Sequence, residues 1–304
     1  MKAWLLKLHR WLALIFAAPL AVVIVTGLVL SFEPWLVTGA IVPDSLSVER
    51  VQTLLAQHDP NGQARALVYR SYDGTLTMGA GRRGGVTVDA ASGEAKPGPS
   101  TLAAVMGTMR GLHERLLIDA GWLVIASTAA MLVLVVLGGL MGWPRFANTL
   151  GGWHKAMAWG LLPLTVLSPL TALLMAAGVT FATPPAAPAA QGAPLKLAQA
   201  VDVVGRDHDL SSLVWLRPQG GRVMARLVED GEYRLYAVTP QGIQPMERNW
   251  PRLWHEGNFA GAWSAAMNVI LSVVMTGLLV TGAWIWLRRQ FRRRARRLLP
   301  TAPA

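Results

Sequence analysis

The sequence predicts a helical membrane protein with four spans, built as two duplicated helix pairs, each carrying a small α+β unit in its long loop. Three observations predict it. Four apolar runs are long enough to cross a bilayer, basic residues gather on one side of those runs, and a histidine-centred pattern recurs in the two halves of the chain.

The spans come first. A hydrocarbon core about 30 Å thick needs roughly 20 apolar residues in helix. Residues 11–32, 116–143, 157–181 and 262–287 meet that length, and Asp119 is the single charge inside them. The whole chain is 53% hydrophobic and 15% charged, against about 25% charged for a soluble domain. The first run is about twice the apolar core of a signal peptide, so it reads as a retained helix. The divisions that follow are helix one within 1–35, an outer unit at 36–110 and helix two within 111–144. A short loop at 145–153 leads to helix three within 154–181. A second outer unit at 182–253, helix four within 254–287 and a basic tail at 288–304 complete the chain. Pro19, Pro163 and Pro169 predict kinks in helices one and three. Thr26 with Gly27, Thr276 with Gly277, and Gly138 with Gly139 read as points of close helix packing. Asp119 reads as snorkelling to the outer surface.

Orientation comes from charge. The net charge of +11 is concentrated in Lys2, Lys7 and Arg10, in Arg145 and Lys155, and in the seven arginines of RRQFRRRARR. The long loops are nearly neutral, with seven basic and six acidic residues across 34–110 and eight and seven across 182–252. Basic residues mark the cytoplasmic side. Both termini and the short middle loop therefore face the cytoplasm, and both long loops face outward, into the periplasm where the host has an outer membrane. The arginine tail reads as an orientation signal that touches anionic lipid, and nucleic acid is not a partner on this reading. The chain has no cysteine, which excludes disulfides, thiolate metal sites, iron–sulfur clusters and covalently attached haem.

The duplication rests on order and spacing. His9 and His154 are 145 residues apart, and His113 and His255 are 142 apart. LHRWLALIFAAP matches WHKAMAWGLLP as a histidine, a basic residue and apolar residues up to a proline. LHERLLIDAGW matches WHEGNFAGAW through His–Glu, Gly and Trp. Each half crosses twice, so the repeats run parallel, with a site expected where they meet. In loop one, SVERVQTLLAQHD reads as a helix after a cap at Ser45, and ARALVYR and GVTVDAASGE read as strands with turns at YDG and SGE. Loop two opens with a TPPAAPAAQGAP linker, continues with the helical LKLAQAVDVVGRD, and then has the strands LVWLRP, RVMARLVE and EYRLYAVTPQG. Each unit is small enough to lean on the membrane domain or on its twin.

Topology then sorts the histidines. His9 and His154 fall near the cytoplasmic face, and His113 and His255 near the outer face, one from each half at each depth. A neutral imidazole is a strong axial ligand for haem iron, and two helices can each present one to a haem held between them. Arg10, Arg115 and Lys155 are adjacent cations suited to haem propionates. The blander reading is that interfacial histidines beside Trp11, Trp153 and Trp254 are polar anchors of the aromatic belt; recurrence at two depths favours ligation. A zinc site wants about four ligands, and each level offers two histidines, joined at the outer level by Glu114 and Glu256. His58 and His208 lie in polar contexts and read as solvated.

At these residues the chain resembles the PepSY-associated transmembrane proteins, bacterial inner-membrane proteins tied to iron uptake that include ferrisiderophore reductases. LHRWLALIFAAPLAVVIVTGLVLSF, GLHERLLIDAGW, GGWHKAM, LWHEGNFAGAW and TGLLVTGAWIWLRR carry the resemblance. VTVDAASGE resembles the strand–turn end of a PepSY module, and loop two has only YAVTPQGIQP in its place. The resemblance implies haem b, one or two per chain, held by His9, His154, His113 and His255, and reduction of a ferric siderophore or chelate at the periplasmic face. A quinol or a cytoplasmic reductase would donate the electron. No GxGxxG follows a strand, so the chain shows no nicotinamide or flavin domain of its own. About 24 residues, or roughly 36 Å, separate His9 from the outer end of its helix, a long distance between two haems unless an aromatic such as Trp122 or Trp159 bridges them. The alternative is a non-enzymatic, membrane-anchored PepSY module that binds or inhibits a partner. A transporter is disfavoured because polar residues are scarce inside the spans.

Overall fold

The first apolar run forms α1 (Lys2–Ile15) and α2 (Ala17–Leu30). The computed structural model describes residues 2–79, 85–143, 146–182 and 195–298; Arg145 and the TPPAAPAAQGAP linker lie outside the described residues. Phe16 separates the two helices because Pro19 has no N–H for the Ile15 carbonyl and its ring crowds that oxygen. The ladder carries on through Phe16 N to Leu12 O at 3.2 Å and Leu20 N to Phe16 O at 2.9 Å. After the short α3 (Glu33–Gly39), α4 (Val48–His58) starts at Ser47, whose side chain accepts from Arg50 N at 3.1 Å. The cap is therefore Ser47 and not Ser45. The chain continues through β1 (Ala66–Arg70), β2 (Thr75–Gly79), β3 (Gly85–Asp89) and β4 (Ala95–Lys96). It then enters α5 (Thr101–Arg115), α6 (Gly121–Leu140), α7 (Leu150–Gly160), α8 (Leu162–Ala176) and α9 (Leu197–Gly205). Finally come β5 (Leu213–Gln219), β6 (Arg222–Glu229), β7 (Glu232–Thr239), β8 (Gly242–Pro245), α10 (Trp250–Glu256) and α11 (Gly261–Leu298).

These elements make two compact units. One comprises Met1–Leu30, Met109–Ala177 and Met267–Ala304; the other comprises Ser31–Thr108 and Gly178–Ala266. In the first, α6 packs against α1, α2, α7 and α8, around a core of Leu20, Met131, Leu271 and Met275 with Phe16, Ile24, Leu134, Leu164 and Leu278. Three helical stretches, Ala17–Gly39, Gly121–Leu140 and Gly261–Arg294, are long and apolar enough to span a bilayer. The pair α7 and α8 passes the same test together, bent by 67°. The bend falls at Leu161, where the Pro163 ring meets the Trp159 carbonyl. Pro169 sits inside α8 without ending it. Ile125, Val133, Val136, Ile270, Val273 and Val280 are exposed on these helices, as expected where lipid is the solvent. The helices thus define a multi-pass membrane protein.

Helix α6 begins at Gly121 and not near Leu116. Leu116, Leu117 and Asp119 adopt φ of 53°, 60° and 53°, a left-handed region that ends a right-handed helix. Asp119 accordingly sits in an exposed turn between α5 and α6, outside the span.

The second unit is one antiparallel sheet of eight strands in the order β4-β3-β2-β1-β5-β6-β7-β8. The two loops join where β1 pairs with β5, Leu67 opposite Leu216 and Val68 opposite Trp215. Alternation sends Leu67, Tyr69, Leu76, Met78 and Val88 from loop one, and Leu216, Leu227, Tyr236 and Val238 from loop two, into a single core. Val51 and Leu54 of α4 and Ala200, Val201 and Val204 of α9 complete it. Of the two supports the sequence allows, each loop has taken its twin. The short β2, β4 and β8 were not among the predicted strands.

Candidate functional site

All four candidate histidines stand on a short helix that precedes an apolar one: His9 on α1, His113 on α5, His154 on α7 and His255 on α10. This corrects the sequence reading of 111–144 and 254–287 as single helices. The left-handed residues at 116–119 end α5, and Gly257, at φ 67°, closes α10.

In the helical unit His113 reaches the backbone of α2. Its Nδ1 lies 3.0 Å from Val23 O and 3.1 Å from Thr26 Oγ1. A carbonyl oxygen only accepts, so Nδ1 carries the hydrogen and the lone pair is on Nε2. Thr26 gives its own proton to Val22 O at 2.6 Å and so accepts from the imidazole. Gly27 opens the way, since a Cβ there would come within 3.2 Å of His113 Cε1. His154 on α7 repeats the device against α11. Its Nδ1 is 2.8 Å from Thr281 Oγ1, which donates to Gly277 O at 2.6 Å. With that proton on Gly277 O, Nδ1 is the donor to Thr281, and a Cβ at Gly282 would make an ordinary contact, 3.5 Å from His154 Cε1.

His9 faces the Leu134 carbonyl of α6 and lies within electrostatic reach of His154. Both residues of the inner pair expected from the sequence belong to the helical unit. His9 Nδ1 is buried with no hydrogen-bond partner among the described residues, which native interiors rarely tolerate without a further ligand. Arg10 and Lys155 adjoin the pair in sequence, Arg115 lies two residues beyond His113, and none of the three forms an ion pair among the described residues. Trp143 and Trp159 pack with ring centroids 5.0 Å apart. His255 belongs to the sheet unit, half-buried in the last turn of α10. No group of three or more His, Asp or Glu side chains gathers as a metal site among the described residues.

Sequence reasoning missed Thr281 and Gly282 and took Thr276 with Gly277 instead. A Cβ on Gly277 would meet Met157 Sδ at 3.0 Å, while Gly138 and Gly139 face open space. The available signal was the triplet Val–Thr–Gly, at 25–27 and again at 280–282. It also occurs at 37–39, so the triplet alone does not identify histidine partners. Two other histidines depart from the solvated reading. His58 Nε2 bonds Gly93 O at 2.9 Å, and His208 Nδ1 pairs with Glu229 at 2.9 Å beside the Tyr236 ring.

The sheet unit has its own polar anchors. Glu232 takes Arg248 through both oxygens at 2.7 and 2.9 Å and Arg234 at 3.2 Å. Burial acts to raise the Glu232 carboxyl, but the hydrogen bonds and charges of Arg248 and Arg234 outweigh it and hold the group below its usual range. Arg226 and Arg252 both hold Glu256 on α10, at 2.6 and 3.1 Å. On strands β1 to β3 a cavity of about 330 Å³ is lined by Arg70, Thr77 and Thr87 among small residues, with Arg70 Nη1 on Thr77 Oγ1 at 3.0 Å.

Imidazoles held inside an apolar helical unit, together with an antiparallel sheet unit that has its own core, define a multi-pass membrane protein with a PepSY-like module. Residues 6–289 match the family described as the PepSY-associated TM region, and the chain belongs to that family. A comparison with curated proteins finds no match.

Proposed function

We propose that the protein is a b-type haem electron-transfer protein of the bacterial inner membrane, which reduces a ferric siderophore or chelate at the periplasmic face to release ferrous iron. The observation that carries the reading is the half-buried pair His9 and His154, with His154 in electrostatic reach of His9, His9 Nδ1 buried and unpartnered among the described residues, and His154 anchored through Nδ1 by Thr281. These residues fit a bis-imidazole site. His154 turns an unprotonated Nε2 away from its anchor, and Arg10 and Lys155 are cations of the kind that receive propionates. Bound haem, which His9 and His154 would hold, would supply a one-electron couple.

The protein's own part is to hold the two imidazoles, exclude water with the apolar bundle and keep cations at its edge. Reduction adds one electron to the chelated ferric ion. The resulting ferrous ion is held less tightly by hard oxygen donors, and the electron comes from a quinol or a cytoplasmic reductase. The reading takes both termini as cytoplasmic, α7 with α8 as the third of four spans, and the two halves of the chain as repeats. The basic residues at both ends support the orientation, and the recurring His-centred sequence patterns support the repeat. His113, whose Nε2 also carries the lone pair, is retained as a further candidate ligand, as is His255 from its sequence context.

Pyridine haemochrome assay and a reduced-minus-oxidised spectrum of the purified protein test the proposal. The expected result is a low-spin b-type spectrum that His154→Ala or His9→Ala abolishes. Colourless protein, purified from cells replete in haem, defeats the proposal and leaves a membrane-anchored binding module as the reading.

A further inference from the structure

We propose that Thr281 and Thr26 are positioning residues that set the tautomer and donor strength of His154 and His113, the inference resting on the haem reading above. The geometry occurs twice, once in each half, with the order of helices reversed. Thr26, on the first helix of its pair, receives the histidine of the second, while Thr281, on the last helix, receives the histidine of the one before. In both cases the hydroxyl proton is already committed to a carbonyl of its own helix, Val22 O or Gly277 O, each at 2.6 Å. With its proton given there, the oxygen accepts from the imidazole and Nδ1 is the protonated nitrogen, the tautomer that Val23 O at 3.0 Å requires independently at His113. In both cases the next residue is glycine: at Gly27 the missing Cβ admits Cε1 of the ring, since an added Cβ would come within 3.2 Å of it, whereas at Gly282 an added Cβ would make an ordinary contact at 3.5 Å. The shared device is the threonine hydroxyl that orients the ring.

An Nδ1–H donated to a fixed acceptor makes the opposite nitrogen a stronger donor and fixes the plane of the ring. A stronger donor favours the oxidised metal, so the device lowers the potential of any iron that the imidazole holds. The chemistry is confined to the chain's own groups, and three variants separate it from plain packing. Thr281→Val keeps the shape and removes the acceptor. Thr281→Ser keeps the acceptor and loses a methyl group. Thr165→Val alters another buried threonine, whose hydroxyl bonds Leu162 O at 3.0 Å.

For purified holoprotein the expected result with Thr281→Val is a haem affinity lower by about 10–100-fold and an upward shift in midpoint potential. Thr281→Ser restores both, and Thr165→Val changes neither. An unchanged potential in Thr281→Val, or failure of serine to restore it, overturns the inference. Nitrogen-15 shifts of labelled histidine in haem-free protein give a second readout: protonation of His154 at Nδ1 supports the device, and protonation at Nε2 overturns it. Wild-type protein that carries no haem defeats the reading of function, and the nitrogen shifts still decide the tautomer.

Discussion

Leu216→Ala tests whether the two loops are one folding unit. Leu216 is 0% exposed and pairs across the β1–β5 seam with Leu67, also 0% exposed. Truncation removes the transfer energy of a fully buried side chain and leaves a cavity in a core where no solvent can fill it. Comparable Leu→Ala changes cost about 2.7–5 kcal/mol. For a domain of 150–250 residues each kcal/mol moves Tm by about 2–4 °C, so the sheet unit should melt roughly 5–20 °C lower. The assay is thermal unfolding of the full chain in detergent micelles, joined to hydrogen–deuterium exchange read peptide by peptide. Because the core is shared, protection should fall on both sides of the seam, at Leu76 and Val88 as well as at Leu227 and Val238. Exchange that rises only across β5–β8, with β1–β3 protected as in the wild type, would refute the single-sheet argument and restore two independent modules.

Other expectations concern single contacts. Gly231→Ala should destabilise the sheet unit by more than about 1 kcal/mol, because Gly231 has φ 74° and a Cβ there would lie 2.5 Å from the Gly261 Cα; denaturant titration of the variant checks this. Glu232 has a depressed pKa, so its contribution to stability is complete above the ordinary value of 4.5 and is lost as pH falls through the lower folded value. The Tm gap between wild type and Glu232→Gln should therefore be widest near neutrality and close on acidification below 4.5, and a gap independent of pH would contradict the assignment. Gly27→Ala should disturb its histidine more than Gly282→Ala, since the added methyl group meets Cε1 at 3.2 Å in the first and at an ordinary 3.5 Å in the second. Imidazole nitrogen-15 shifts of His113 and His154 in the two variants compare them directly.

Apolar run length was enough to locate the membrane helices, because a bilayer sets a length and tolerates little inside it. Their ends were harder. Nothing in the string LLID announces three left-handed residues, which depend on how α5 meets α6 and not on local propensity. Ser45 and Ser47 are equally good caps on paper, and the structure uses the one whose hydroxyl reaches Arg50 N. RVMARLVE was read with its ends intact because a long central strand alternates clearly, whereas β4, with two residues, has no period to detect. The shared sheet could be offered only as an option, since β1 and β5 lie more than 140 residues apart and their pairing has no local signal. For the candidate site, the histidines stood out as polar residues beside apolar runs. Their threonine partners did not, because a buried threonine that bonds its own helix is common in membrane helices.

The case for a ligand at the inner pair rests on accounting for polar atoms. In a medium with little water, a buried imidazole needs a partner for each nitrogen or loses free energy by leaving one bare. At His154, which is half-buried, one nitrogen is satisfied by Thr281, and the other is not among the buried atoms left without a partner. At His9 the buried Nδ1 has no partner among the described residues. A histidine kept only as an interfacial anchor would turn its free nitrogen toward water, and a histidine kept for packing would be replaceable by an apolar residue at no loss. A ring whose buried Nδ1 has no partner, within electrostatic reach of a second ring anchored by Thr281, is better explained by a ligand at His9 than by packing alone. His9→Phe distinguishes these accounts: it should stabilise haem-free protein if the ring only packs, and abolish haem binding if the nitrogen is a ligand. A variant that is both haem-loaded and spectrally normal would remove His9 from the site.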